Sequence, residues 1–144
     1  MNLITRAGFS IIVLTLCLCD STASADVVAV VSARRPVTTT LSKDQVANIF
    51  LGKASRFPDG SQAVPIDQVE GSAAREEFYL KFSGKSPAQL KAHWSKIIFT
   101  GRGQPPREVS NSIEVKKLIV ENPNAIGYIE QSLVDGSVKM LLAQ

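Results

Sequence analysis

The sequence has few of the residues that usually supply disulfides and metal ligands. Its 144 residues include two cysteines, Cys17 and Cys19, and a single histidine, His93. Both cysteines lie in an N-terminal apolar run, so the rest of the chain must be stable without disulfides and lacks the usual ligands of a transition-metal site. His93 precedes Trp94 on a predicted helix and is expected to be a surface or half-buried residue. We predict no metal and no cofactor.

The sequence also lacks an apolar run of the roughly 20 residues that a transmembrane helix needs. The longest run, "FSIIVLTLCLC", has about 11 residues, too few to span a bilayer. It follows the basic residue Arg6 and precedes Ala23-Ser24-Ala25, a small-x-small cleavage site. This layout is typical of a secretory signal peptide. We therefore predict a signal peptide over residues 1–25, a single domain over residues 26–144, a periplasmic location and no membrane association after cleavage.

The excess of positive charge is small. The chain has 16 basic and 13 acidic side chains, and removal of residues 1–25 takes one of each and leaves the net charge at +3. So mild an excess does not require a nucleic acid as partner, but it suits a small anionic ligand. The basic loop Gly101–Arg107 lacks the aromatic residues on which bases stack, so we predict no nucleic-acid partner. We expect this loop to be either a second basic wall near a ligand or a solvated connection.

Strands and helices alternate along the predicted mature chain. The run "DVVAVVS" is continuously β-branched, as in a strand buried on both faces. The predicted strands cover residues 26–32, 63–66, 125–130 and 138–142, and the predicted helices cover residues 42–52, 72–82, 86–97 and 112–121. This alternation predicts an α/β domain of three layers with a mainly parallel sheet. The aromatic residues Phe50, Phe57, Phe78, Phe82, Trp94 and Phe99 are expected in its core.

The stretch "EGSAAR", residues 70–75, places small residues and one hydroxyl where a helix begins. The first backbone N–H groups of a helix have no partner inside it, and its N-terminus is partly positive, so this stretch can bind an anion. The alternative is that Ser72 only caps the helix, as serine often does. Spacing alone favours the cap. No strand-to-helix Gly-x-Ser-x-Gly turn occurs, and we predict no catalytic residue and no enzyme.

From about Leu41 to the C-terminus, the chain resembles one lobe of the phosphate-binding proteins of bacterial phosphate ABC transporters. The segments that carry the resemblance are "LSKDQVANIFLGKASRFPDGS", "VPIDQVEGSAAREEFYLKF", "TGRGQPPREV" and "NPNAIGYIE". It implies the fold of one lobe of a type II periplasmic binding protein. It also implies that Ser72, Ala73 and Ala74 match the residues that donate hydrogen bonds to phosphate in the family. Glu70 matches a family Asp, and the position of a clamping Arg falls on the neutral Gln68.

Two departures from the family limit what the resemblance implies. A charged Arg contact is among the strongest anion contacts, and its loss costs on the order of 2 kcal/mol. The family also closes two lobes over its ligand, whereas this chain has the length of one. Arg75 either substitutes for the clamp or points to solvent, and Ser32 or Thr38 can add a contact. The candidate ligand-binding residues are Gln68, Glu70, Gly71, Ser72, Ala73, Ala74 and Arg75.

The residues and the resemblance together predict a non-catalytic binding module for phosphate or a related oxyanion, linked to phosphate uptake. In this hypothesis Glu70 accepts the proton of a monoprotonated phosphate, and a transporter permease receives the ligand. The alternative is a secreted interaction or sensor-accessory protein that keeps the lobe and has lost the ligand. A third hypothesis is a homodimer in which two copies pair face to face and rebuild the cleft.

Overall fold

The computed structural model of the chain describes residues 26–36 and 40–141. The predicted signal peptide and Thr38 lie outside these residues. The described part forms five strands: β1 (Val27–Ser32), β2 (Val64–Gln68), β3 (Arg107–Val109), β4 (Ala125–Glu130) and β5 (Val138–Met140). It forms four α-helices: α1 (Lys43–Phe50), α2 (Ala73–Ser83), α3 (Pro87–Phe99) and α4 (Ser112–Glu121). A short 3-10 turn, Gln131–Leu133, follows β4.

The five strands form one sheet in the order β3-β2-β4-β1-β5. β2 pairs in parallel with β3 and β4, whereas β1 runs antiparallel to both β4 and β5. Four strands therefore point in one direction, which confirms the mainly parallel sheet, and β1 is the reversed strand inside it. Three of the four valines of β1 are buried, because strands flank it on both sides and helices cover the sheet.

Helices cover both faces of the sheet and produce the three predicted layers. α1, α2 and α3 pack on one face, where Phe50, Phe78 and Trp94 belong to one hydrophobic cluster. α4 covers the other face and contributes Val115 and Ile119 to a second cluster. The predicted fold class is confirmed, because apolar clusters lie on both sides of a single sheet.

The predicted helix ends agree with the structure because their caps form. Ser42 and Ser86 each make a complete capping box with the glutamine three residues later, at the starts of α1 and α3. α2 ends at Gly84, whose φ of 65° is a left-handed conformation that glycine adopts without a Cβ clash. Local side-chain chemistry therefore determines these boundaries.

The loop before α4 holds a strand that the sequence did not reveal. β3 has three residues at the end of a Gly/Pro-rich stretch and pairs in parallel with β2, Arg107 opposite Ile66 and Val109 opposite Gln68. The preceding loop therefore approaches the N-terminal ends of β2 and β3. The candidate residues around Ser72 follow the C-terminal end of β2, so the expectation of a second basic wall near the ligand is wrong for Gly101–Arg107.

The prediction that Phe99 belongs to the core is also wrong. Its side chain is 92% exposed, whereas Phe50, Phe57, Phe78, Phe82 and Trp94 are buried as predicted. Phe99 is the last residue of α3, and the core-facing residues of that helix, Leu90 and Trp94, lie on its opposite side. The presence of an aromatic residue did not by itself distinguish a core position from an exposed one.

Candidate functional site

The start of α2 leaves two backbone N–H donors without an acceptor in the described part of the chain. Ser72 is the N-cap, and its hydroxyl accepts a hydrogen bond from the Arg75 N–H at 3.1 Å, so the predicted cap is confirmed. The Ser72 N–H is itself used, since it donates to the Val69 carbonyl. In the described part of the chain, the N–H groups of Ala73 and Ala74 have no acceptor. Capping therefore leaves two donors of the first turn unused.

Gly71 leaves open space beside the backbone just before α2. Its φ of 88° lies in the left-handed region, and no atom lies within 4 Å of where a Cβ would stand. Gly71 and Ala73 are exposed, while Ala74 packs inward. The chain therefore turns from β2 into α2 with open space on the side where a Gly71 Cβ would lie.

A second helix starts beside the first one. β3 ends at Val109, opposite Gln68 at the end of β2, and the chain then enters α4. Asn111 is the N-cap of α4, and its side chain accepts from the Glu114 N–H at 3.0 Å. Among the residues that the structure describes, the N–H groups of Ser112 and Ile113 have no acceptor. Two helix N-termini thus meet at the C-terminal edge of two parallel strands, a common place for ligands in α/β sheets.

Gln68 connects the two helix starts. Its side-chain amide is buried and donates to the Ser112 hydroxyl at 2.9 Å and to the Tyr128 carbonyl at 3.3 Å. The Ser72 hydroxyl lies 3.5 Å from the amide oxygen of Gln68. The position that carries a clamping Arg in the resembled family is therefore occupied by a neutral side chain that positions two hydroxyls. We define the candidate anion site as Gln68 with the first turns of α2 and α4.

A buried carboxylate lies directly below this site. Asp67 accepts hydrogen bonds from the hydroxyls of Tyr79, at 2.7 Å, and Tyr128, and from the Gln68 N–H at 2.8 Å. Burial raises the pKa of Asp67, an effect that the positive charge of Arg75 partly offsets. Burial and the nearby Asp67 raise the pKa values of both tyrosines, so both remain neutral donors. This network fixes the end of β2 and hence the position of Gln68.

Arg75 belongs to the same buried network. Its guanidinium donates to the Gln68 carbonyl at 2.8 Å and to Glu108 at 2.7 Å, and it lies 3.8 Å from Asp67. It is buried, so the expectation that it can point to solvent is wrong. Arg75 therefore ties α2 to β2 and to β3, with its donors directed to protein acceptors.

Glu70 lies at the surface in the turn before α2. Its side chain is 68% exposed, and its carboxylate is 3.9 Å from the Lys91 ammonium group of α3. An exposed pair at this distance contributes little to stability. Glu70 is therefore only weakly held by its pairing with Lys91.

The structure adds Asn111 and Ser112 to the residues that the sequence singled out. The available signal was the "SNSIEV" segment, in which an N-cap Asn, a small residue and an acidic residue follow one another as at a helix start. The signal was missed because β3 was not recognised, so nothing placed this helix start beside Gln68. Ser32 is buried, and its hydroxyl accepts from the Arg34 N–H rather than facing the site.

His93, the only histidine of the sequence, has a hydrogen-bond partner close by. His93 is half-buried as predicted, and its Nε2 lies 2.9 Å from the Leu51 carbonyl oxygen. In residues 26–36 and 40–141, no group of three or more His, Cys, Asp or Glu residues is arranged to hold a metal ion. No helix in those same residues has both the length and the apolar character needed to cross a membrane.

The fold is that of one part of known phosphate-binding proteins. A structure described as a phosphate ABC transporter substrate-binding protein with bound phosphate, from Clostridium perfringens, matches with a TM-score of 0.62 and 25% identity over 81% of this chain. An ABC-type phosphate transport receptor from Vibrio cholerae matches with a TM-score of 0.62 and 21% identity over 81% of this chain. A structure from Planctomyces limnophilus, described as a phosphate-binding protein, matches with a TM-score of 0.61 and 12% identity over 82%.

These matches confirm the resemblance and show that it covers only part of each matched protein. The chain spans 44%, 45% and 41% of the lengths of the three matched proteins, in the order given. At identities of 21% and 12%, two of the three matches show the fold alone. No protein-family model and no curated protein matches the sequence. The described part of the chain therefore has the fold of less than half of a phosphate substrate-binding protein.

Proposed function

We propose that the chain is a non-catalytic periplasmic solute-binding module for phosphate or a related oxyanion, linked to phosphate uptake. The observation that carries the proposal is the convergence of two helix N-termini on Gln68, with backbone N–H groups that have no protein acceptor in the described part of the chain. Such groups bind oxyanions because they point outward together and lie at the positive ends of the helix dipoles. The matched proteins are described as binding proteins rather than enzymes, and one of them holds phosphate.

Six of the seven candidate residues have the following roles in this proposal. The N–H groups of Ala73 and Ala74 donate to the oxyanion at the start of α2, and Gly71 keeps the approach open. The Ser72 hydroxyl caps α2 through its oxygen, and its proton, which the amide oxygen of Gln68 accepts at 3.5 Å in the free chain, turns to the ligand on binding. Gln68 holds the hydroxyls of both helix starts in place. Arg75 fixes the first turn of α2 through its buried ion pairs.

The first turn of α4 completes the proposed site. Ser112 and Ile113 add two further N–H donors, which gives the ligand donors from two directions. The site still lies on an open face of the domain, since Gly71, Ala73 and Asn111 are exposed. We therefore expect weak binding, with a Kd on the order of 1 mM. A transporter permease is the proposed recipient of the ligand. Two copies of the chain paired face to face would cover the open site.

The test is a titration of the chain from Asp26 to Gln144 with phosphate and then sulfate at low salt, followed by amide NMR shifts. We expect saturable shifts at the N–H groups of Ala73, Ala74, Ser112 and Ile113. Ser72→Asp keeps a good N-cap but places an anion in the site, so it should weaken binding at least about tenfold. Asn111→Asp makes the same test at α4 and should also weaken binding.

Ser86→Asp is the matched control, because Ser86 is the N-cap of α3 and lies outside the proposed site. It should leave phosphate binding unchanged. If Ser86→Asp weakens binding as much as Ser72→Asp does, the effect is general repulsion and the site assignment is wrong. Unchanged binding in Ser72→Asp also contradicts the assignment.

A second candidate function is a secreted interaction or sensor-accessory protein that does not bind an oxyanion. The observation that favours it is the engagement of Arg75 by Glu108 and Asp67, together with the neutral Gln68 at the clamp position. An oxyanion would then have only neutral donors. A folded chain whose amide shifts do not change at millimolar phosphate or sulfate would select this second function over the first.

A further inference from the structure

The end of α3 presents two apolar side chains to solvent. Phe99 is 92% exposed and Ile98 is 55% exposed, although both belong to the helix whose Leu90 and Trp94 are buried. Phe99 lies about half a turn from Trp94 around the helix, so it cannot reach the core that Trp94 enters. Full exposure of a phenylalanine leaves its apolar surface in water, which is unfavourable unless the surface has a partner.

The backbone holds these side chains in a defined position. The Thr100 hydroxyl donates to the Lys96 carbonyl at 2.9 Å, and the Gly101 N–H donates to the Ile98 carbonyl at 3.1 Å. Gly101 has a φ of 67°, which turns the chain sharply after the helix. The Arg102 N–H then donates back to the Ile97 carbonyl. Phe99 therefore stands at a capped, convex turn rather than in a groove.

The charge around this turn has one sign. The segment from Lys85 to Arg107 contains five Lys or Arg residues and no Asp or Glu, while the whole chain has a net charge of +3. Lys96 and Arg102 are both exposed, and among the described residues neither is within ion-pair distance of a carboxylate. We define the α3 tip as Lys96, Ile98, Phe99 and Arg102.

The α3 tip is remote from the candidate anion site. Lys91, near the start of α3, lies 3.9 Å from Glu70 beside the start of α2. Phe99 is eight residues further along α3, or about 12 Å along its axis. The loop after the tip leads to the N-terminal end of β3, whereas the candidate anion site is at the C-terminal ends of β2 and β3. A partner on the tip therefore leaves the anion site accessible.

We propose that the α3 tip docks the protein on an anionic membrane surface. The apolar side chains Ile98 and Phe99 enter the interface between headgroups and acyl chains, and Lys96 and Arg102 pair with the negative headgroups. An apolar side chain flanked by cations is the combination that such surfaces bind, and a convex turn fits a planar surface. This inference goes beyond the proposed oxyanion binding and revises the expectation that the mature chain has no membrane contact.

The test is co-sedimentation with vesicles. The protein is produced from the full-length sequence and purified from the exported fraction, and its N-terminus is determined by mass spectrometry. We expect binding to vesicles of phosphatidylglycerol and phosphatidylcholine, and little binding to phosphatidylcholine alone. Binding should fall as salt rises from 50 to 500 mM, values chosen to cover the range over which surface charges become screened. Phe99→Ser should weaken binding about tenfold, and Lys96→Gln with Arg102→Gln about fivefold per substitution.

Matched controls separate the tip from general surface effects. Leu80, on α2, is also exposed, at 64%, and Lys117 on α4 is an exposed cation. Leu80→Ser and Lys117→Gln should leave vesicle binding unchanged, and an amide NMR spectrum confirms that every variant is folded. If Phe99→Ser and the charge variants leave vesicle binding unchanged, the proposal is overturned. The absence of binding to the anionic vesicles also overturns it, and in that case the tip is better explained as a surface for an acidic protein.

Discussion

The side-chain amide of Gln68 donates to the Ser112 hydroxyl across 2.9 Å, and both side chains are buried. The two residues are 44 positions apart in sequence. The hydrogen bond joins the end of β2 to the first residue of α4, so a strand that leads into α2 also positions a second helix start. The distance between the two sets of N–H donors depends on this bond.

Gln68→Met should lower both stability and oxyanion binding. It leaves the Ser112 hydroxyl and the Tyr128 carbonyl without their donor, which costs about 1 to 3 kcal/mol of the free energy of unfolding. Urea unfolding measures this change, and amide shifts on adding phosphate measure the loss of binding. Gln62→Met, at an exposed position, should change stability by no more than about 0.5 kcal/mol. Equal effects of the two substitutions would contradict the assigned role of Gln68.

The sequence predicted most elements of the fold because they have local causes. Ser42 and Ser86 start helices through capping boxes, and Gly84 ends one. The reversed direction of β1 was not predictable in this way, because a buried β-branched run reads the same in a parallel and an antiparallel pair. β3 was missed for a related reason: its three residues are too few to show a period.

The sequence predicted only part of the candidate anion site, because local sequence alone identified only one of its two helix starts as a candidate. The step at Ser72 has a local pattern, so the start of α2 could be identified from its sequence. The contribution of Ser112 depends on β3 pairing with β2, which brings a distant segment beside Gln68. The exposure of Phe99 depends on the rotation of α3 against the core. Tertiary placement decided both, and a single sequence contains no direct signal for it.

Glu70→Gln should reduce the preference for phosphate over sulfate. A carboxylate beside the start of α2 accepts the proton of hydrogen phosphate but repels sulfate, which has no proton at neutral pH. We expect the ratio of the two affinities to fall about fivefold, equivalent to about 1 kcal/mol at an exposed site. Parallel titrations with both anions measure it. Glu76→Gln, in the first turn of α2, is the control and should preserve the ratio, while an unchanged ratio in Glu70→Gln would remove the proton-accepting role.

Gly127→Ala should destabilise the fold at the packing of α4 on the sheet. A Cβ at Gly127 would lie within 2.7 Å of Ile119 Cδ1 and closer still to Val115 Cγ1, well inside van der Waals contact. Because both neighbours are buried in the same cluster, the helix must shift, and we expect a loss of about 3 kcal/mol in urea unfolding. Gly136→Ala has no atom within 4 Å of its Cβ and should be nearly neutral. A stable Gly127→Ala protein would show that α4 can move away from β4 without cost.

The ion pair between Lys116 and Asp135 should give the fold a component of stability that acid removes. The ammonium group lies 2.5 Å from the Asp135 carboxylate and also donates to the Leu133 carbonyl at 3.0 Å, which ties α4 to the segment before β5. The hydrogen bond from Lys116, with further hydrogen bonds from Ser137, holds the pKa of Asp135 well below its usual value of 3.8. A carboxyl group whose pKa is lower in the folded state stabilises the fold above its unfolded pKa.

Asp135→Asn should therefore lower the melting temperature at pH 7, and the difference from the parent should shrink as the pH falls below about 3.8, where the unfolded chain starts to bind the proton. Thermal unfolding at several pH values between 2 and 7, a range that brackets this pKa, measures both effects. Glu121→Gln is the control, because that carboxylate lies at the C-terminal end of α4, where the helix dipole disfavours a negative charge. It should not lower the melting temperature at pH 7. A difference for Asp135→Asn that stays constant down to pH 2 would mean that the residue acts through packing or turn geometry and not through its charge.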